Sequence, residues 1–159
     1  KGVQKKTIHQ NQTKVLKLRM QLFQFLPMKH KVNKNSLPRV KIIQKIYGFL
    51  LNPDDEIIYP KNQYRKYIKD VVSGTLERIE LIEETILKHI DQDIDLKRTD
   101  KLLKIVLFSA VFELMFKHNI PKNVIISEYV RAAEFFLEKA QLGYLNAILD
   151  RLSKIIRKY

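Results

Sequence analysis

The stretch KRTDKLLKIVLFSAVFELMFKH, residues 97–118, decides the fold. Leu102, Leu103, Ile105, Val106, Leu107, Phe108, Ala110, Val111, Phe112, Leu114, Met115 and Phe116 leave no polar stripe at helical spacing. A helix that is apolar around its whole circumference is covered on all sides, by other helices or by lipid. Lipid is excluded here, because Glu113 interrupts the run from Ile105 to Phe116. That run also falls short of the roughly 20 apolar residues that cross a bilayer. The stretch therefore predicts the central helix of a bundle, with Leu107 and Val111 nearly fully buried.

Working outward, the neighbouring segments are helical too, but each has a single apolar face. Towards the N-terminus, a second helix is expected over about 61–90. Ile68, Val71, Val72, Thr75, Ile79, Ile82 and Ile86 form its stripe, and Lys69, Arg78, Glu80, Glu84 and Lys88 its opposite face. Before it, a helix opens near Ser36, a suitable N-cap, with Pro38 in its first turn. It carries Ile42, Ile43, Ile46, Tyr47 and Leu50, and Asn52-Pro53-Asp54-Asp55 ends it. Towards the C-terminus, His118-Asn119-Ile120-Pro121 breaks the central helix. Two further helices follow, over about 122–137 and 139–157. No strand pattern or internal repeat is seen, and four Gly and five Pro are too few for a turn-rich sheet protein. The body is thus expected to be an all-α bundle of five helices with short connections.

Charge divides the chain. The first acidic residue is Asp54, and twelve Lys and Arg precede it; from Asp54 onward, 18 basic side chains face 17 acidic ones. A nearly neutral body therefore carries a cationic N-terminal stretch, and such a stretch attracts polyanions. Residues 1–35 are expected to be a basic, mobile arm and residues 36–159 the helical domain. Lys29, Lys31 and Lys34 are the arm's candidate phosphate contacts. Residues 1–27 are expected to be an appendage. The rival reading has Val15 to Leu26 as an amphipathic helix on the body, with Leu18, Leu22, Phe25 and Leu26 on one face.

Several chemistries find no support. With no cysteine there is no disulfide, thiolate metal site or thiol nucleophile. The four His are scattered, so a zinc site is not expected. Asp91-Gln92-Asp93-Ile94-Asp95 begins like a calcium loop, but Leu96 and Leu102 occupy the positions that need Gly and a bidentate Glu. Glu83 and Glu84 are adjacent and point to different faces, so they form no catalytic pair. Gly74 and Gly143 are expected at close helix contacts. No metal, cofactor or catalytic residue is expected, and the chain reads as a non-enzyme.

Three blocks then carry a resemblance. The first is Ile120-Pro121-Lys122-Asn123-Val124-Ile125-Ile126-Ser127-Glu128, followed by Tyr144-Leu145-Asn146-Ala147-Ile148-Leu149-Asp150. The second is Pro38-Arg39-Val40-Lys41-Ile42-Ile43-Gln44-Lys45-Ile46-Tyr47, and the third is Asp70-Val71-Val72-Ser73-Gly74. In order and spacing they resemble the NusB family over about residues 38–157. The chain departs from the family pattern at Ser127, Ala147, Phe108 and Gly143. The resemblance implies an all-α, NusB-like bundle and a cytoplasmic, bacterial antitermination factor. Such a factor binds single-stranded boxA-type RNA of ribosomal leader transcripts with the small-subunit ribosomal protein NusE, within the RNA polymerase antitermination complex. Mapped by position, it implies an RNA surface of Arg39, Tyr47, Phe136 and Tyr144. Cations neutralise phosphates and aromatic rings stack on unpaired bases. Asn146 and Asp150 are expected to be structural, bonding to the chain beside the fourth helix. The alternative is a helical interaction or regulatory domain of the same fold whose RNA binding is weakened or lost.

Overall fold

The computed structural model describes Lys14, residues 37–90 and residues 94–158. The chain divides into two units, Lys1–Val32 and Asn33–Tyr159, and the six helices below belong to the second. They are α1 (Leu37–Leu51), α2 (Arg65–Glu77), α3 (Ile79–Ile90), α4 (Lys101–Phe116), α5 (Lys122–Ala133) and α6 (Lys139–Ile156). No strand occurs among the described residues. The Ser36 cap, the 15–26 segment and Asp91 and Asp93 of the acidic connector lie outside them.

The central helix is where the sequence puts it. α4 packs against each of the other five helices, and Leu107 and Val111 are 1% and 0% exposed. Its start is set by Asp100, whose carboxylate accepts from the N–H groups of Leu102 (3.0 Å) and Leu103 (3.1 Å). Two of the four unsatisfied donors at that end are thereby paired. Asp95 holds the preceding turn, so the helix begins four residues later than the sequence pattern places it: the Asp95 carbonyl accepts from Arg98 (3.1 Å) and Thr99 (3.0 Å).

The other end of α4 depends on a residue from the far end of the chain. Arg157, 8% exposed, donates to the carbonyls of Leu114 (2.9 Å), Glu113 (3.1 Å), Lys117 (2.7 Å) and Ile120. One guanidinium thus ties together carbonyls of the last turn of α4 and of the turn that follows it, the Leu114 carbonyl among those left without an intrahelical donor. Burial lowers the Arg157 pKa, and the neighbouring Glu113 charge opposes that shift.

One expected helix is two. Over 61–90 the chain starts a helix only at Arg65, where the Asn62 carbonyl accepts from Arg65 N–H at 3.1 Å, and it breaks at Arg78. Arg78 N–H bonds to the Thr75 carbonyl (3.3 Å), three residues back instead of four, and the residue leaves helical geometry at φ −117°, ψ 23°. The ladder resumes with Ile82 N–H to the Arg78 carbonyl at 2.9 Å. The apolar stripe crosses this break with unchanged spacing, so periodicity does not reveal it. The Arg78 guanidinium lies over the rings of Phe116 (4.9 Å) and Phe112 (6.0 Å), which gives the kinked residue a partner on α4.

Gly74 is a close contact, as expected: a Cβ there would collide with the tip of the Phe112 ring. Only a residue without a side chain lets α2 approach α4 this closely. Gly143 differs from the expectation, since it is exposed and a Cβ there would meet nothing within 4 Å.

Candidate functional site

The charged centre of the domain is Glu113, the lone acid in the apolar stretch of α4, which is 0% exposed. Arg39 on α1 grips both its oxygens, Nη2 to Oε1 at 3.0 Å and Nε to Oε2 at 3.3 Å. The Tyr67 hydroxyl on α2 donates to Oε1 as well. The Arg39 guanidinium also lies against two rings, 5.3 Å from the centroid of Tyr129 on α5 and 5.6 Å from that of Tyr67. Four helices meet at one bidentate ion pair, which is the geometry that makes Arg–carboxylate pairs strong.

The electrostatics follow from that arrangement. Burial by itself lowers the Arg39 pKa, but Glu113 and the phenols of Tyr129 and Tyr67 outweigh it and the net shift is upward. Burial, then the Glu113 charge, pushes the Tyr67 hydroxyl far above its ordinary value, with Arg39 opposing. Tyr129 is raised for the same two leading reasons. A group whose folded pKa is raised contributes its stability in full below the unfolded value and loses it as pH rises past that value. For tyrosine the unfolded value is about 10. Stability should therefore fall as pH climbs above about 10, and Tyr67→Phe should make that fall shallower. Urea denaturation from pH 8 to 12 measures this; identical pH profiles for the two proteins would contradict it.

With both carboxylate oxygens occupied and the group fully covered, this cluster is a structural clamp with no room for substrate. Among the described residues, no group of three or more His, Asp and Glu side chains is placed to hold a metal ion.

The clamp changes the view of the sequence-expected surface. Arg39 is 5% exposed and committed to Glu113. Tyr47 is 2% exposed; burial, then Asp100, raises its pKa, and Lys101 lies 5.9 Å from its ring centroid. Phe136 is 5% exposed, while its neighbour Phe135 is 37% exposed. In this conformation none of Arg39, Tyr47 and Phe136 presents its side chain to solvent, because all three complete the packing between helices. Tyr144 is the exception at 39% exposed, near the start of α6. Arg151, two turns further along α6, is exposed on the same side. Tyr144 and Arg151 thus place one exposed aromatic ring and one exposed cation along the same side of α6. Lys29, Lys31 and Lys34 lie outside the described residues.

Asn146 and Asp150 are both exposed. Asp150 is held within its own helix, by Lys154 one turn on at 2.9 Å, and no bond to the chain beside α5 is found for it among the described residues. The start of α6 is fixed by Gln141, whose side chain accepts from Glu138 N–H at 3.0 Å.

Sequence reasoning missed Glu113, Tyr67 and Arg157 as a set. One signal was present: a carboxylate inside an otherwise apolar helix needs a cation, since an unpaired buried charge is too costly to keep. Nothing in the spacing says which of the 30 Lys and Arg supplies it.

Comparison with known proteins bears on what this fold does. The NusB family model matches residues 17–154. The transcription antitermination protein NusB of Rickettsia bellii (strain OSU 85-389) is 32% identical over 144 residues, covering 78% of this chain and 92% of that protein. The protein of the same name from Sphingopyxis alaskensis is 24% identical over 148 residues, covering 82% of this chain and 99% of its own. Among solved structures, T. maritima NusB superposes with a TM-score of 0.66 at 22% identity, covering 78% of this chain and 93% of that one. This last likeness concerns the fold alone.

Proposed function

The chain belongs to the NusB family of transcription antitermination factors, and on that footing we propose that it binds boxA-type single-stranded RNA together with the ribosomal protein NusE. It acts in the cytoplasm, in the antitermination complex of RNA polymerase, and catalyses no reaction. Among the described residues no helix is long and apolar enough to cross a membrane. The observation that carries the reading is the family match over residues 17–154, which includes most of the cationic stretch before Asp54. The side chains suit an RNA strand, because Lys29, Lys31 and Lys34 neutralise phosphates while Tyr144 offers a ring to an unpaired base. Residues 1–35 serve as the basic arm and residues 36–159 as the RNA-binding body.

Tyr144→Ala tests the stacking. It should weaken binding of a short boxA-like RNA by about 1–3 kcal/mol. The melting temperature should barely move, since the ring is 39% exposed. Fluorescence anisotropy and thermal denaturation of the same samples measure both. Unchanged affinity would remove Tyr144 from the interface.

A second reading, an interaction domain with weakened RNA binding, is favoured by one observation: Arg39, Tyr47 and Phe136 are all at most 5% exposed. Under that reading Tyr144→Ala changes RNA affinity no more than a substitution elsewhere on the surface.

A further inference from the structure

A cavity of about 210 Å³ opens where α1, the α2–α3 junction and the first turns of α4 meet. Its wall is apolar, with Ile46, Leu50, Ile79 and Phe108 among the lining residues. Two cations, Lys101 and Lys104, also line it, and no acidic side chain does. Both ammonium groups rest over aromatic rings: Lys101 is 5.9 Å from the Tyr47 centroid and Lys104 5.7 Å from that of Phe108.

A further observation points to a ligand. Thr75, also in the lining, is 2% exposed, and its hydroxyl has no hydrogen-bond partner among the described residues. A helical threonine ordinarily bonds to the carbonyl one turn back. A buried hydroxyl left unpaired is destabilising, so a polar atom brought within its reach would be favoured. The site therefore combines an apolar chamber, two cations without a carboxylate counterpart in the wall, and a hydroxyl without a partner.

We propose that this cavity binds a small amphipathic anion, an aliphatic carboxylate about the size of octanoate. The tail occupies the space between Leu50, Ile79 and Phe108, and the carboxylate accepts from Lys101, Lys104 and the Thr75 hydroxyl. Size supports the choice, because a closed apolar cavity of about 150 Å³ accommodates benzene and this one is larger. Charge decides against a neutral hydrocarbon, which would leave the Thr75 hydroxyl unsatisfied and use neither lysine.

An NMR titration of the full chain with octanoate, 1-octanol and acetate tests the site independently of RNA binding. Octanoate should shift the signals of Thr75, Ile79 and Phe108 saturably. Octanol, without the charge, and acetate, without the tail, should each need at least tenfold higher concentration. Lys101→Met with Lys104→Met should weaken octanoate about tenfold and leave octanol unchanged. Leu50→Phe, at a position 36% exposed and so tolerant of change, should fill the chamber and weaken both. The proposal is overturned by unsaturable shifts, by octanol binding as tightly as octanoate, or by undiminished octanoate affinity in the lysine variant.

Discussion

Arg39→Ala should destabilise the protein by about 3–5 kcal/mol, the cost of leaving a buried carboxylate without its cation. The Glu113 side chain is 0% exposed and the Arg39 side chain 6%. The two guanidinium bonds are therefore lost at a site closed to solvent in the native protein, and the Tyr67 hydroxyl alone cannot balance a full charge. The loss would be felt in α1, α2, α4 and α5 together, since all four contribute to the cluster. The pair itself is a different matter. Replacing all three polar groups, as in Arg39→Met/Glu113→Leu/Tyr67→Phe, should recover most of the loss, because apolar groups of similar volume often match a buried ion pair in stability. Urea denaturation of both variants provides the comparison. A single-variant loss below about 1 kcal/mol would mean the cluster is hydrated in solution.

Leu107→Ala should cost about 2–5 kcal/mol. Leu107 is 1% exposed at the middle of a helix that touches every other described helix. A cavity opened among packed helices collapses only partly, which places the effect towards the upper end of that range. The unfolding slope should stay constant if the change is in stability alone. A loss below half a kilocalorie, with two-state unfolding retained, would show that α4 is not central.

Much of the architecture was legible because burial leaves a pattern that charge does not. An apolar circumference too short to cross a bilayer and interrupted by Glu113 belongs to a central helix, and α4 is one. Single stripes placed α1, α5 and α6 to within a few residues. The Arg78 break was not legible, because a one-residue tightening of the hydrogen-bond ladder shifts no apolar residue off the stripe. The site was harder still. Arg39, Tyr47 and Phe136 match family positions in sequence, but type and spacing say nothing about which way a side chain faces. At 5%, 2% and 5% exposure these three pack inward, while Tyr144 faces out at 39%. Arg157 looks in sequence like a cation placed for its own helix dipole. Its actual acceptors lie 37 to 44 residues earlier, at the end of α4 and in the turn after it, and are set by tertiary packing.

In the proposed function, RNA binding is driven by the cationic N-terminal stretch, with the exposed Tyr144 ring stacking on a base. A salt titration of boxA-like single-stranded RNA against the full chain, with and without NusE, tests it most directly. The log–log slope should be steep, and Lys29→Gln/Lys31→Gln/Lys34→Gln should reduce it by about two, at roughly 0.7 per phosphate contact on a single strand. Absence of binding at low salt both with and without NusE would contradict the proposed RNA binding, and an unchanged slope in the triple variant would take the arm out of the interface.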